Sequence, residues 1–372
     1  MKPIHIKKEA FGPAMAKAME TYAVAGPVPD REDAKRRHLF RCLEKGETPD
    51  LEYTATQLSP KALLFPQAET MFRFKVPSGG KKAPFLEAES FKERPLAVVG
   101  IRPYDARAFD MLTLNFDSKD YKDPFFLKRC HQMVRVGLAD TTLKDTNFST
   151  ACGTGPFDTT ALDILLAKTE DAYIGTVITA KGKSFAAAAG FEAGSAEDTK
   201  ALARMKQEAE SRMRPGPDFS ALADADTLDL HGEDHWARLA FSCINCGSCT
   251  FSCPTCWCFD IQDEVTGNDG VRLRLWDTCM TDLYSAHASG HNPRQERFKR
   301  FRNRFMHKLK YFPDKYGQGI MCVGCGRCID NCPVGIDIRT IIGEMNAKAA
   351  GAAKAAGTAK TGGTDKATEA AS

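Results

Sequence analysis

The chain has 372 residues, 43% of them hydrophobic and 27% charged, which suits a globular protein with room for two domains and a core in each. Its 51 Lys and Arg stand against 48 Asp and Glu, a net charge of +3 that gives no argument for nucleic acid. No run of about 18 apolar residues is present, which excludes a membrane-spanning helix, and the mixed charge of the first twenty residues leaves no apolar signal core, so a cytoplasmic protein is expected.

In chain order, residues 10–22 read as a helix ended by Gly26-Pro27-Val28-Pro29. Alternation predicts half-buried strands at 51–56 and 70–76, with a turn at 77–80. Residues 95–101 form a continuous apolar run bounded by charge, which predicts a strand buried on both faces. A helix is expected over 103–116, a strand over 133–138, a helix over 160–168, a strand over 172–180 and a polar amphipathic helix over 196–213. Strands alternating with helices predict an α/β (or α+β) N-terminal domain. The loop Gly153-Thr154-Gly155 has two glycines, Pro156 behind it and no strand running into it, so it lacks the dinucleotide fingerprint. The stretch from Arg214 to Asp218 reads as a linker. These boundaries give an N-terminal partner-docking domain over 1–230, a cluster domain over 231–346, and a tail over 347–372 whose Ala, Gly, Lys and Thr cannot bury enough surface to order themselves. His231 and His235 lie in a charged stretch and are expected to be solvated.

Eight of the fourteen cysteines stand in two runs of one pattern, C-x2-C-x2-C-x3-C-P. They are Cys243, Cys246, Cys249 and Cys253 before Pro254, and Cys322, Cys325, Cys328 and Cys332 before Pro333. Three thiolates at this spacing wrap one loop around three corners of a [4Fe-4S] cube, and in two-cluster ferredoxins the fourth ligand comes from the other run. That assigns Cys243, Cys246, Cys249 and Cys332 to one cluster, and Cys322, Cys325, Cys328 and Cys253 to a second. The two prolines fix the backbone where it leaves each cluster, and Gly324 and Gly326 permit turns that aim amides at sulfur. Zinc knuckles would leave the third evenly spaced cysteine and the Cys-Pro step without a role. Disulfides would demand an oxidising compartment. The spacing Cys249-x3-Cys253-x2-Cys256, that of radical enzymes using S-adenosylmethionine, reuses two cysteines already claimed. Cys42, Cys130 and Cys152 read as small core hydrophobes; Cys256, Cys258 and Cys279 read either as buried structural thiols or as a further metal site.

A long insertion, residues 259–319, separates the runs. In its second half Arg294, Arg297, Lys299, Arg300, Arg302, Arg304, Lys308 and Lys310 oppose Glu296 alone. Phe298, Phe301, Phe305, Leu309 and Phe312 recur at helical spacing, so a helix with an apolar stripe beneath the charge is predicted. The charge reads as a solvated face or as a dock for an acidic redox partner. Aromatics on the stripe, and not beside the charges, speak against nucleic acid.

Four stretches carry a family resemblance: SPKALLFPQAETMFRF at 59–74, VVGIRPYDARAFDML at 98–112, CPTCWCFDIQDE at 253–264, and RLRLWDTC with HASGHNPRQERFKRFRNRFMHK between 272 and 308, joined to CVGCGRCIDNCPVGIDI. They resemble the iron–sulfur electron-transfer subunits typified by the iron–sulfur subunit of anaerobic sulfite reductase and by the sulfhydrogenase β subunit, with relatives in heterodisulfide-reductase-like complexes. The resemblance implies a ferredoxin-like domain with two [4Fe-4S] clusters and a helical insertion. It further implies single-electron relay linking a flavin/NAD(P)-binding subunit with a catalytic redox subunit of a cytoplasmic anaerobic complex, without substrate chemistry in this chain. Many relatives have a cysteine where Tyr104 stands and a Cys-x-Cys near Cys152, which together could hold another cluster; the resemblance therefore implies that this extra cluster is missing. A rival reading places a flavin or sulfur-substrate site near Arg102, Asp105 and Cys152.

Overall fold

The computed structural model describes residues 2–30, 37–76, 85–88, 94–142 and 144–361; the turn expected at 77–80 lies outside them. Two units emerge, and they interleave along the chain where a single boundary near residue 230 was expected. One comprises Met1–Arg214, Ser248–Thr278 and Val323–Arg327, the other Pro215–Gly247, Cys279–Cys322 and Cys328–Ser372.

All twelve described strands belong to the first unit: β1 Lys2–Lys7, β2 Ala23–Pro29, β3 His38–Cys42, β4 Ala68–Lys75, β5 Phe85–Ala88, β6 Leu96–Ile101, β7 Val134–Leu138, β8 Ile164–Lys168, β9 Ala172–Val177, β10 Glu192–Ala193, β11 Phe259–Thr266 and β12 Asp269–Trp276. Eight of them form a sheet in the order β10-β1-β9-β8-β7-β6-β2-β3. Its middle, β2-β6-β7-β8, is parallel. Five helices cover it: α1 Lys8–Ala18, α2 Pro103–Phe116, α3 Pro124–Gln132, α4 Ala180–Ala189 and α5 Ala196–Ser211. Side chains of a strand alternate between faces, and β6 shows the consequence. Val99 joins Phe11, Met15 and Phe185 of α1 and α4 in one core, while Val98 and Ile101 join Phe109, Leu112 and Phe126 of α2 and α3 in the other. The apolar run at 95–101 is therefore a central strand buried on both faces.

Two expectations fail here. Residues 160–168 are not helical: Ile164, Leu165, Leu166 and Ala167 form buried β8, and a strand covered on both faces has no alternation to distinguish it from a helix. Residues 51–56 are a turn, joined to the sheet by a bridge between Thr56 and His38, and the apparent alternation records Leu51 and Tyr53 packing into the core. The remaining strands form a second sheet, β11-β12-β4-β5. The first half of the insertion is therefore a hairpin, β11 and β12, turning at Gly267 and Asn268. Arg274 of β12 is buried and pairs with Glu69 of β4 and with Asp123, whose carboxylate caps α3.

The second unit is helical, with segments at Ser220–Asp224, Glu233–Leu239, Arg297–Met306, Phe312–Tyr316 and Ile338–Thr361. The last runs past residue 347, where a tail was expected, because alanine and lysine are strong helix formers. Residues 362–372 lie outside the described part. Trp236 is the centre of the core, stacked on Phe305 and edge-on to Phe301, with its indole N–H donated to the Leu230 carbonyl. Between Arg297–Met306 and Phe312–Tyr316 the helix widens into one π-helical turn, His307–Tyr311. Pro313 supplies the reason: it has no N–H to offer the turn before it, and a widened turn relieves the clash of its ring. The Lys308 carbonyl instead accepts from the Met321 amide, 2.8 Å away.

Burial, together with the charges of Lys308, Lys315 and Arg294, pushes His307 down to about 4. The unfolded chain, with a histidine near its ordinary value of about 6.5, then binds more protons than the folded one between those values. Stability is full above the upper value and is lost as pH falls through the window. The expected loss between pH 7 and pH 5 is about 2 kcal/mol, measured as a drop in the denaturant midpoint that His307→Gln flattens. A midpoint that does not move in the parent protein contradicts it.

Candidate iron–sulfur site

In an open α/β sheet the carboxyl ends of the parallel strands usually border a ligand crevice. Here β6 runs directly into Arg102 and α2, β7 runs into Ala139 and Asp140, and the edge is filled by Val323–Arg327, part of the second cysteine run. Val323 packs with Tyr104, Ala108 and Met111 of α2, against which Cys325 also lies. The Arg327 guanidinium forks onto Asp105 at 2.6 and 2.7 Å and reaches the Thr56 carbonyl and hydroxyl at 3.2 and 2.9 Å. Asp105 is wholly buried and Arg327 is 4% exposed, so this is an interior ion pair.

Gly324 and Gly326 adopt left-handed φ of 64° and 77°. A Cβ on Gly324 would lie 2.5 Å from the Phe148 carbonyl carbon, and one on Gly326 would lie 2.6 Å from the Thr146 carbonyl oxygen. No residue with a side chain fits either place. The Phe148 amide in turn donates to the Gly324 carbonyl at 2.8 Å. Arg102 donates to the carbonyls of Ala139 and Tyr53 at 2.6 and 2.8 Å and lies 3.9 Å from Asp140. Arg102 and Asp105, two residues of the rival substrate site, are therefore buried and hydrogen-bonded inside the unit. Cys152, the third, ends a short turn, Ser149–Cys152.

The first cysteine run contributes Ser248–Phe251, a single helical turn carrying Cys249. The Cys253 thiol lies 3.2 Å from the Thr255 hydroxyl. Cys256 is buried, and its carbonyl accepts from Lys61 at 2.7 Å. Lys61 is itself 2% exposed and stands 3.8 Å above the Trp276 ring. Cys325 belongs to this unit as well, and burial pushes its thiol up to about 12, with Arg327 opposing and Asp105 and the Cys253 thiolate adding.

In the second unit Cys243, Cys279 and Cys322 are buried, Cys328 and Cys332 are partly buried, and Cys246 is exposed. Asn245, at a left-handed φ of 55°, presents its amide to the Cys243 sulfur at 3.4 Å, and Ile336 does the same for Cys332 at 3.2 Å. Such amides stabilise negative charge on sulfur. The basic stretch is not a plain solvated face: Arg304, Lys308 and Lys310 are 4%, 2% and 6% exposed, while Phe301, Phe305, Leu309 and Phe312 of the expected stripe are buried and Phe298 is half-buried. The Lys308 ammonium lies 3.4 Å from the carbonyl of Met321, the residue before Cys322. His231 and His235 are half-buried; His231 bonds the Tyr311 hydroxyl at 2.6 Å and His235 packs edge-on against Trp236.

The cysteines are thiols, none in a disulfide. Among the described residues no group of three or more His, Cys, Asp or Glu side chains gathers around a point as a single ion requires. A cube distributes its four thiolates over four irons and makes no such demand. Left-handed glycine turns, amides directed at sulfur and buried cations beside the runs form a donor set that fits [4Fe-4S] clusters. Of these features the cations were hidden in the sequence. Arg327 stands between two cysteines at a place the spacing pattern leaves unspecified, Lys308 is one of many basic residues, and Lys61 is betrayed only by the apolar residues around it.

Residues 242–336 match the model of the 4Fe-4S dicluster domain. A 4Fe-4S domain therefore occupies the C-terminal part of the chain. Over 349 residues, 93% of this chain and 98% of the relative, the sequence is 27% identical to Sulfhydrogenase 2 subunit beta of Pyrococcus furiosus. The resemblance carried by the four motif stretches is borne out, and the chain is similar to a sulfhydrogenase β subunit over nearly its whole length. No solved structure matches it. Among the described residues no helix is long and apolar enough to cross a membrane.

Proposed function

We propose that the chain is an electron-relay subunit holding two [4Fe-4S] clusters, with Cys243, Cys246, Cys249 and Cys332 as ligands of one and Cys322, Cys325, Cys328 and Cys253 as ligands of the other. The doubled cysteine pattern inside the dicluster match carries the reading. Cys253 and Cys325, ligands of one cluster under the exchange, both belong to the strand-rich unit. The clusters would supply one-electron acceptance and release. The chain's own residues hold them: amides at Asn245 and Ile336 face sulfur, and Asp105 with Arg327 fixes the segment bearing Cys325.

The relay would link a flavin/NAD(P)-binding subunit with a catalytic redox subunit of an anaerobic complex in the cytoplasm, a reducing compartment suited to fourteen cysteines. Anaerobic purification at native expression tests this, with iron and acid-labile sulfide counted per chain, EPR of the reduced protein and mass spectrometry of what co-purifies. About eight irons with coupled signals and a bound flavoprotein are expected. About four would refute the exchanged ligands, and about twelve would show a further cluster.

A further inference from the structure

Cys246 is the one exposed cysteine of the two runs among the described residues, and the surface around it is built from three stretches bonded to one another. Asn245 donates to the Met280 carbonyl at 3.0 Å, Arg300 donates to the same carbonyl at 3.1 Å, and Arg297 donates to the Phe241 carbonyl at 3.3 Å. Asn292 closes the circuit by donating to the Asp282 carbonyl at 2.8 Å. This surface presents large apolar side chains to water: Phe241 and Leu283 are each 81% exposed, Ile244 59% and Tyr284 37%. Large apolar side chains exposed on the stretches that carry and brace an exposed redox ligand mark a contact surface.

The rim of that surface is basic. Lys299 is paired with Glu296 at 2.7 Å and approaches Glu233 at 3.8 Å. Arg297 and Arg300 are held by backbone carbonyl oxygens, which leave their charge unneutralised. Cations around an apolar centre complement a protein with carboxylates around an apolar centre, and they raise its rate of encounter.

We propose that Phe241, Ile244, Leu283 and Tyr284, flanked by Arg297 and Arg300, form the port at which an acidic one-electron carrier protein exchanges electrons with the cluster held by Cys246. This rests on the relay reading above. The holoprotein, its iron and EPR signals recorded first, is mixed anaerobically with a reduced acidic ferredoxin, and the second-order rate is followed against salt. The rate is expected to fall steeply with ionic strength, and Arg297→Glu and Leu283→Ser are each expected to slow it by about tenfold. Reduction by a small zwitterionic viologen should be unchanged in both variants. Rates unaffected by salt and by both substitutions, with clusters intact, overturn the port and leave the relay standing. A loss seen equally with the viologen overturns it too, since the damage is then at the cluster, and so does a parent dimer that Leu283→Ser converts to monomer. Absence of clusters from the parent protein overturns both readings.

Discussion

Asp105→Ala is expected to destabilise the strand-rich unit by about 3–5 kcal/mol and to lower iron retention, the largest single-residue effect outside the cysteines. The carboxylate and the Arg327 guanidinium share two hydrogen bonds inside the protein, with Thr56 taking the remaining donors. Removing one partner leaves a charge in the interior with nothing to balance it, and that costs far more than the pair contributes. Neighbouring charge on Asp105 also holds Arg327 firmly protonated, against a burial that opposes the charge. With Asp105 removed the guanidinium still keeps its proton through its own strong basicity, so it cannot escape the cost by becoming neutral. The consequence for the site follows from position: Arg327 is two residues from Cys325 and one from Cys328. Asp105→Asn should be milder, because the amide oxygen still accepts. Asp105→Ala combined with Arg327→Met should recover most of the loss, since an apolar pair of similar volume avoids burying charge at all. Denaturant midpoints and iron counts on anaerobic protein decide it. A single variant with parental midpoint and iron shows that the pair is not what fixes the loop.

The sequence disclosed the cluster runs because their chemistry demands residues at fixed spacing, and β6 and α2 because an apolar run and a helical stripe carry one interpretation each. What it concealed depends on long-range packing. β8 has the composition of a buried strand and of a buried helix alike, and only its partners β7 and β9 distinguish them. The hairpin of β11 and β12 completes a sheet with β4, which lies some two hundred residues earlier in the chain, so the insertion could not be read as sheet from its own residues. Linear order also suggested one boundary near residue 230, whereas short pieces of both cysteine runs belong with the N-terminal sheet. The same limit applied to charge: eight cations in a stretch look alike, although three of them are buried.

Lys308→Met is expected to lower the reduction potential of one cluster by about 40–90 mV while leaving the fold intact. Lys308 is placed by a local cause. Pro313 opens the helix into a π turn, the Lys308 carbonyl is bound by the Met321 amide, and its ammonium lies against the Met321 carbonyl, one residue from Cys322. A cluster gains one negative charge on reduction, so a buried cation nearby favours the reduced state. At an effective dielectric constant of about 20 and a separation of roughly 8–16 Å, the interaction is on the order of 1–2 kcal/mol, and its loss shifts a one-electron couple downward by the range above. Methionine has nearly the same length and no charge, and replacing a buried charge by an apolar group of like size is commonly neutral or stabilising. Thermal midpoint and iron content should therefore stay at parental values while the EPR-monitored redox titration moves. A potential that stays in place, or rises, in a fully loaded variant would mean that Lys308 only fastens the helix to Met321, and that the charge balance of the cluster is set by other groups.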